Sequence, residues 1–328
     1  MTRRYPTTPM AARPVGRSGL RGVAIVGEVS TGPDKLTVHI VDGTYELFRQ
    51  YFARPSHENA DGLDIGGARG VLRSMLSMLE DGATHLGVAT DHVIESFRND
   101  LYDGYKNGEG LDPGILAQFQ PLEDGLRAIG VATYPMVAYE ADDGMAALAA
   151  LASADDRVER VLLCTPDKDL AQCVVAGRIQ QFDRRNNKIL DVEEVKEKYG
   201  VPPESIPDWL GLVGDSADGF PGLPGWGAKS AAAVLSRYGH IDDIPLAAGQ
   251  WDITVRGGAK LAKTLADNLE DALLFRRLAT LERDAPTAKS VDELRWTGPG
   301  EDIEQAAATF DAPDLITRTA KLAAARNT

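Results

Sequence analysis

Residues 130–153, GVATYPMVAYEADDGMAALAALAS, contain the change of pattern that decides the fold. The stretch opens as a β-like run and ends as an alanine-rich run typical of a helix. Glu140, Asp142 and Asp143 stand between the two. Helix capping is one explanation, because exposed N–H groups and the helix dipole favour acids at that position. The alternative is a site for a hard divalent cation, because Glu140 and Asp143 share a helix face with Asp142 beside them.

The composition limits the possible classes of function. The chain has 328 residues and 43% of them are hydrophobic, which is enough for a substantial core in one or two domains. It has no run of about 18 apolar residues and no secretory signal, so we expect a cytoplasmic protein with no membrane partner. Only Cys164 and Cys173 could supply thiols, and they form no C-x-x-C pair, which excludes zinc–thiolate chemistry.

The net charge of -14 argues against a nucleic-acid partner, because such proteins usually carry a basic surface. The argument weakens if many of the acids bind metal ions, since bound cations neutralise them before a phosphate approaches. Composition alone therefore leaves the partner open.

Strand-like and helix-like patterns alternate over the first half of the chain. Residues 1–34 are rich in Arg, Pro, Gly, Ser and Thr and are predicted to form a flexible tail. The predicted strands are LTVHIV (36–41), HLGVAT (85–90), GVATYPMV (130–137) and VERVLLCT (158–165), and the predicted helices cover residues 69–81, 112–130 and 142–153. This alternation predicts an α/β fold with a mainly parallel central sheet flanked by helices.

Acidic residues follow each of these four strands. The carboxyl ends of parallel strands meet at one edge of a sheet, where ligands bind. An aspartate after a strand is more often a turn residue, but the same coincidence at four strands is harder to credit. With two further acids in GDSAD, the candidate metal ligands are Asp42, Asp91, Glu140, Asp142, Asp143, Asp167, Asp169, Asp215 and Asp218.

A helical pattern begins at about residue 190 and includes an amphipathic helix predicted at 266–283. Within it, PGLPGWGAKSAA places Gly225 and Gly227 in a tight turn, and Lys229 opens the next helix. Small residues before a helix N-terminus allow backbone N–H groups to approach a phosphate. A plain helix hairpin would need the same glycines, so the turn alone does not separate these two interpretations.

Five motifs occur in a characteristic order: VDGTYELFRQYFA, TDHVIESFRNDLYDGYK, YEADDGMAALA, TPDKDLAQCV and VGDSADGFPGLPGWGAKSA. Over roughly residues 36–245, the chain resembles the bacterial 5'-3' exonuclease and flap endonuclease family, which includes the 5'-nuclease domain of many DNA polymerases I. No polymerase domain follows, so we expect the stand-alone form. The resemblance implies a PIN-like nuclease core at 35–190 with a helical arch at about 92–115. It also implies a helical module at 191–328, with a helix-three-turn-helix motif at about 205–245 followed by C-terminal helices.

The resemblance also implies roles for individual residues. Lys106 and Arg98 would act as catalytic cations from the base of the arch, against the scissile phosphate. Gly225, Gly227 and Lys229 would bind the DNA backbone at a hairpin that in this family often holds K+. All nine acids stand at metal-ligand positions, with Asp42, Asp91, Glu140, Asp142 and Asp143 mainly on one side of a metal pair and Asp167, Asp169, Asp215 and Asp218 mainly on the other.

The implied activity is hydrolysis of DNA phosphodiesters at 5' ends and 5' flaps, in replication and repair. Oxygen-only ligands suit two or more Mg2+ or Mn2+ ions, and a two-metal mechanism would activate water and stabilise charge. We expect a monomer that acts at the nucleoid.

The chain departs from the family pattern at several positions. Val93 replaces a usual lysine, and Glu109 replaces a usual arginine. The cation-poor segment KNGEGLD (106–112) predicts an arch that is short, mobile or weak in its hold on a 5' strand. A non-catalytic DNA-binding relative, which Val93 and Glu109 suggest, remains an alternative. An RNA-directed PIN-like nuclease, with the same metal chemistry and another substrate, is a second one.

Overall fold

The computed structural model describes residues 35–326, so the tail predicted at 1–34 lies outside the described residues. The chain from Leu36 onward forms one compact unit. No helix in the described range combines the length and the apolar character needed to cross a membrane.

A six-stranded sheet forms the centre of this unit, in the order β3-β2-β1-β4-β5-β6. The strands are β1 (Leu36–Asp42), β2 (His85–Asp91), β3 (Ala132–Met136), β4 (Val158–Cys164), β5 (Ile179–Asp183) and β6 (Lys188–Leu190). Neighbouring strands from β3 to β5 are parallel, and only β6 pairs antiparallel, with β5. The predicted mainly parallel sheet is confirmed, and its four predicted strands are present.

The strand order reverses between β1 and β4. From β1 the chain continues to β2 and β3 on one side, and it then returns to β4 and β5 on the other. In open α/β sheets this reversal opens a crevice outside the carboxyl ends of the two strands. Val41 pairs with Cys164, so Asp42 and Thr165 come next along the two strands at the crevice.

Helices cover both faces of the sheet and form the second half of the chain. They are α1 (Gly43–Ala53), α2 (Gly66–Glu80), α3 (Phe97–Leu101), α4 (Pro113–Leu116), α5 (Phe119–Ala128), α6 (Ala141–Ser153), α7 (Val192–Tyr199), α8 (Ile206–Val213), α9 (Ala228–Tyr238), α10 (Gly258–Asp267), α11 (Leu269–Ala279), α12 (Ile303–Thr309) and α13 (Asp314–Arg326). The helix predicted at 266–283 is divided at Asn268, between α10 and α11. Between residues 191 and 326 there is no strand.

Alternation along the strands divides the core into layers. Val41 and Val88 point into a cluster with α2 and α5, whereas Ile40 and Ala89 point into a cluster with α6. A third cluster joins the helices from α7 to α11. Because successive strand residues face opposite sides, both faces of the sheet are buried, and only its ends remain for a polar site.

The helical arch implied at about 92–115 is mostly irregular. It contains α3 and α4, with five and four residues, and no helix lies between residues 102 and 112. Gly104, Gly108 and Gly110 fall in this interval, and glycine is among the weakest helix formers. The implied arch is thus reduced to two short helices joined by a glycine-rich segment.

Candidate active site

Four adjacent strands bring their acids to one edge of the sheet. Asp42 is the last residue of β1 and Asp91 is the last residue of β2. Asp142 lies in the first turn of α6, after β3, and Asp167 and Asp169 follow β4. The four strands are neighbours in the order β3-β2-β1-β4, so the predicted convergence of these side chains is what the fold produces.

Two groups of carboxylates lie close enough to share metal ions. The first acid group is Asp142, Asp167 and Asp169, and the second acid group is Asp169, Asp215 and Asp218. Within each group one oxygen per residue lies within 4.8 Å of the others, and Asp169 belongs to both. This differs from the predicted division, which placed Asp142 opposite Asp167 and Asp169. The physical reason is that α6 packs against both β4 and the turn that begins at Asp169.

The acids of these groups repel one another. Burial, followed by repulsion from Asp167 and Asp42, raises the pKa of Asp142 well above its usual range. Burial and the charge of Asp167 do the same to Asp169. Among the described residues no hydrogen-bond donor reaches the buried Oδ1 of Asp169. The cluster therefore holds more negative charge than its protein partners balance.

Asp42 and Asp91 lie beside the two groups, and some of their carboxylate oxygens already accept hydrogen bonds from the protein. Asp42 accepts hydrogen bonds from Tyr45 N at 2.8 Å and from Thr165 Oγ1 at 3.0 Å. Asp91 Oδ1 accepts from Ala141 N at 2.8 Å. Burial, supported by the charge of Asp91, still raises the pKa of Asp42 to about 7, and burial also raises the pKa of Asp91.

Asp143 and Arg98 form a buried ion pair away from both groups. Arg98 is 1% exposed and donates to the two oxygens of Asp143 at 2.7 and 2.8 Å. Its other donors reach Leu278 O at 2.7 Å and Thr280 O at 3.1 Å. Asp143 also accepts from Glu282 N at 2.9 Å. Asp143 is thus the predicted metal ligand that Arg98 holds at two hydrogen-bonding distances, with Glu140 Oε1 farther away at 3.5 Å, and Arg98 presents no free donor to a substrate.

Lys106 connects the base of the arch to the acids. Its Nζ lies 2.9 Å from Glu140 Oε2 and 2.9 Å from Asp218 Oδ1. Ser96 Oγ donates to Glu140 Oε1 at 2.7 Å. Burial alone would lower the pKa of Lys106, but Glu140 and Asp218 outweigh it and raise that pKa well above its usual range. Burial raises the pKa of Glu140, but the charges of Lys106 and Arg98 lower it. The net effect is a pKa below the usual value.

Lys168 is a cation of the site that the sequence reasoning did not single out. Its Nζ forms a salt bridge with Asp215 Oδ2 and lies 3.8 Å from Asp169 Oδ1. About a third of its side chain is exposed, at 31%. The sequence does contain a signal for Lys168, which stands between two acids in TPDKD. A cation flanked by acids of the site must lie near the site itself.

The predicted DNA-binding residues lie on the link between α8 and α9. Gly225 has a φ of +85°, and Gly227 caps α9, with Ser230 Oγ accepting from its N–H at 3.0 Å. Lys229 is exposed in the first turn of α9. A Cβ added at Gly225 or Gly227 would meet nothing within 4 Å, so this surface is open to a partner.

The two departures from the family pattern, Val93 and Glu109, are exposed, and Gly219, next to Asp218, lies against Gly104 of the arch. Neither position supplies a cation, because one residue is apolar and the other is acidic. Gly219 has a φ of +89°, and a Cβ there would lie 2.2 Å from Gly104 O. The close approach of these two backbones requires glycine, and it is adjacent to a hydrogen bond of 2.9 Å from Lys106 N to Asp218 O.

Two family models match the chain. Residues 37–200 match the 5'-3' exonuclease N-terminal, resolvase-like domain, and residues 201–302 match the 5'-3' exonuclease C-terminal SAM fold. The 5'-3' exonuclease of Buchnera aphidicola is 31% identical over 253 residues, which cover 76% of this chain and 87% of that protein. The motif-based resemblance is thereby confirmed.

DNA polymerase I of Bacillus caldotenax is 35% identical over 278 residues, which cover 83% of this chain but 30% of the polymerase. The chain thus spans less than a third of the length of the polymerases that it matches. A flap endonuclease of bacteriophage T5, solved in a pseudo-enzyme–product complex with DNA and metal ions, superposes with a TM-score of 0.58 at 20% identity. That match covers 89% of this chain and all of the T5 protein, and it shows a common fold. On the family models and the Buchnera relative, the chain belongs to the 5'-3' exonuclease family.

Proposed function

We propose that this protein is a metal-dependent 5' nuclease that hydrolyses DNA phosphodiesters at 5' ends and 5' flaps, in replication and repair. The observation that carries the proposal is Asp169, a buried carboxylate that is shared by two acid groups and has an oxygen without a hydrogen-bond donor. Family membership supports the same activity. The related Buchnera protein is named a 5'-3' exonuclease.

The residues at the sheet edge fit divalent cations. Every donor in the two acid groups is a carboxylate oxygen, which suits Mg2+ or Mn2+ better than a soft metal. We assign Asp142, Asp167, Asp169, Asp215 and Asp218 as ligands. Asp42, Asp91 and Glu140 would contact the ions through water, because protein donors already occupy part of their oxygens. Asp143 would not bind a metal ion, because Arg98 donates to both of its oxygens and neutralises its charge.

Bound divalent ions would supply an activated water and neutralise charge on the phosphoryl oxygens. The chain's own residues would do the rest. Lys106 lies between Glu140 and Asp218 with 33% of its side chain exposed, so its Nζ can donate to a phosphoryl oxygen that enters the crevice. Arg98 is too buried for this task, and we assign it to holding α3 against α6 and the segment after α11.

DNA would bind at the link between α8 and α9 and the start of α9, through the phosphates of its backbone. The open turn at Gly225 and Gly227 and the exposed Lys229 suit phosphate contacts, which give little sequence preference. The proposal includes K+ at this hairpin, a nuclease core at 35–190, a helical module at 191–328, and a monomer acting at the nucleoid. These points rest on the family resemblance.

Cleavage of a 5'-labelled flapped duplex with Mn2+ tests the proposal. Wild type should release short 5' products, and EDTA should abolish cleavage. Lys106→Ala should slow single-turnover cleavage by about a hundredfold to a thousandfold, the usual effect of one charge-stabilising donor. Lys263→Ala is the matched control, because Lys263 is exposed on α10, where it pairs with Asp267 at 2.6 Å. Equal rates in Lys106→Ala and Lys263→Ala would remove Lys106 from the mechanism.

Two further substrates separate the alternatives. A matched RNA flap should be cleaved far more slowly than the DNA flap, and the reverse order would favour an RNA-directed nuclease. If the protein shifts the DNA flap in a gel but leaves it intact with Mn2+, the binding-only alternative is correct.

A further inference from the structure

We infer that Lys168 is a built-in counter-cation of the second acid group, which a divalent ion must displace before that group can bind it. The inference rests on the proposed function, since it concerns the same acids. It makes the two acid groups unequal: the first should bind a divalent ion readily, and the second should bind one only in competition with Lys168.

Lysines already face the second group from two sides. Lys168 Nζ forms a salt bridge with Asp215 Oδ2 and lies 3.8 Å from Asp169 Oδ1. Lys106 Nζ lies 2.9 Å from Asp218 Oδ1. The other oxygen of Asp215, Oδ1, accepts a hydrogen bond from Ala217 N at 3.0 Å. Both oxygens of Asp215 are therefore engaged, and the protonated amine of Lys168 is the partner that an ion would replace.

The first group has only a weaker partner, because Lys168 Nζ lies 3.8 Å from Asp169 Oδ1, beyond hydrogen-bond distance. Within residues 35–326, Asp142 and Asp167 form no salt bridge. The Oδ1 of Asp169 also lacks a hydrogen-bond donor among these residues. A divalent ion can thus enter between these carboxylates without breaking a hydrogen-bonded ion pair.

Lys168 is able to leave. Its side chain is 31% exposed, on a flexible four-carbon stem, so its ammonium group can turn from Asp215 towards solvent. Lys106 is equally exposed, at 33%, but its ammonium group lies 2.9 Å from both Glu140 and Asp218 and so has two close partners to leave. Lys168 is therefore the cation that an ion entering the second group displaces more easily.

The test counts bound Mn2+ from the electron paramagnetic resonance signal of free Mn2+ during titration of the full chain. Wild type should show one tighter and one weaker class of sites. Lys168→Met should tighten the weaker class about fivefold, the effect expected when a partly exposed ion pair no longer competes. Lys168→Arg should restore wild-type behaviour, and Lys263→Met, an exposed lysine of α10, should change nothing.

Thermal unfolding supplies a readout that distinguishes competition from a merely structural role. In EDTA, Lys168→Met should have a lower Tm than wild type, and in saturating Mn2+ the difference should disappear. A Tm that is lower by the same amount in both conditions, or a weaker class that is unchanged or looser in Lys168→Met, would overturn the inference alone. Wild type that takes up no Mn2+ would overturn the proposed function, and the inference with it.

Discussion

Asp142 and Asp143 are consecutive residues of α6 in opposite electrostatic environments. Asp142 lies in the first acid group, where burial and neighbouring carboxylates raise its pKa. Asp143 is fully buried and both of its oxygens accept from Arg98. Successive helix residues point about 100° apart. The carboxylate of Asp142 therefore reaches the sheet edge, whereas that of Asp143 faces Arg98 and the backbone of Glu282. Charge balance, and not the number or spacing of acids, separates the two roles.

The largest expected effect tests whether Asp142 is a metal ligand. Asp142→Asn should lower single-turnover cleavage of a 5'-flapped duplex by about a thousandfold or more, because several kcal/mol of metal-assisted charge stabilisation would be lost. The fold should survive, since the change removes repulsion. Asp267→Asn, on the exposed face of α10, is the control. A decrease of less than tenfold in Asp142→Asn would contradict its role as a ligand.

The second half of the comparison predicts a loss of stability. Arg98→Met should lower the free energy of unfolding by about 3–5 kcal/mol, because it leaves the charge of Asp143 buried and unpaired. Urea denaturation followed by circular dichroism measures this. Adding Asp143→Asn to Arg98→Met should restore much of the loss. Wild-type stability with strongly reduced cleavage in Arg98→Met would instead support the sequence-based interpretation of Arg98 as a phosphate-binding cation.

Much of this contrast could not be predicted from the sequence. The motifs identified all nine acids and the sheet edge, because strand patterns and acid positions are local features. The partners of Asp143 and Arg98 are not local: Glu282 lies 139 residues beyond Asp143, and Leu278 lies 180 residues beyond Arg98. Only the folded chain shows which carboxylate these groups neutralise.

The limits of the fold prediction have a similar cause. β1 and β4 are β-branched, buried runs and were predicted, whereas β5, IQQFD, and β6, KIL, were not. Two glutamines interrupt the apolar pattern of β5, and β6 has only three residues. β5 and β6 are extended because they pair with neighbouring strands. A local sequence pattern contains no information about such pairing.

A smaller effect tests how the arch base positions Lys106 beside the second acid group. Gly219→Ala should lower the free energy of unfolding by about 2 kcal/mol or more, from the positive φ and from the Cβ that would lie 2.2 Å from Gly104 O. Gly177→Ala, with a φ of +66° and open space, should cost about 1 kcal/mol. Cleavage should fall only in Gly219→Ala. Equal losses of stability in the two variants would show that the backbone contact is unimportant.

The smallest effect is a dependence of stability on pH without metal. Burial raises the pKa of Asp42 from 3.8 to about 7, so its stabilising contribution is complete below about pH 4 and is lost as pH rises through 7. In EDTA, the free energy of unfolding should fall from pH 5 to 7.5, and Asp42→Asn should flatten this decline. Asp155→Asn is the control, because hydrogen bonds from Arg157 lower the pKa of Asp155 to about 2, outside this window. If the free energy of unfolding of Asp42→Asn fell with pH as steeply as that of wild type, the raised pKa of Asp42 would be contradicted.

Anomalous diffraction from a crystal of the protein soaked in Mn2+ tests the central claim most directly. The account predicts two Mn2+ peaks that share Asp169, one bound by Asp142 and Asp167 and the other by Asp215 and Asp218, with Asp143 still paired to Arg98. No peak at the sheet edge, or a peak bound by Asp143, would contradict it.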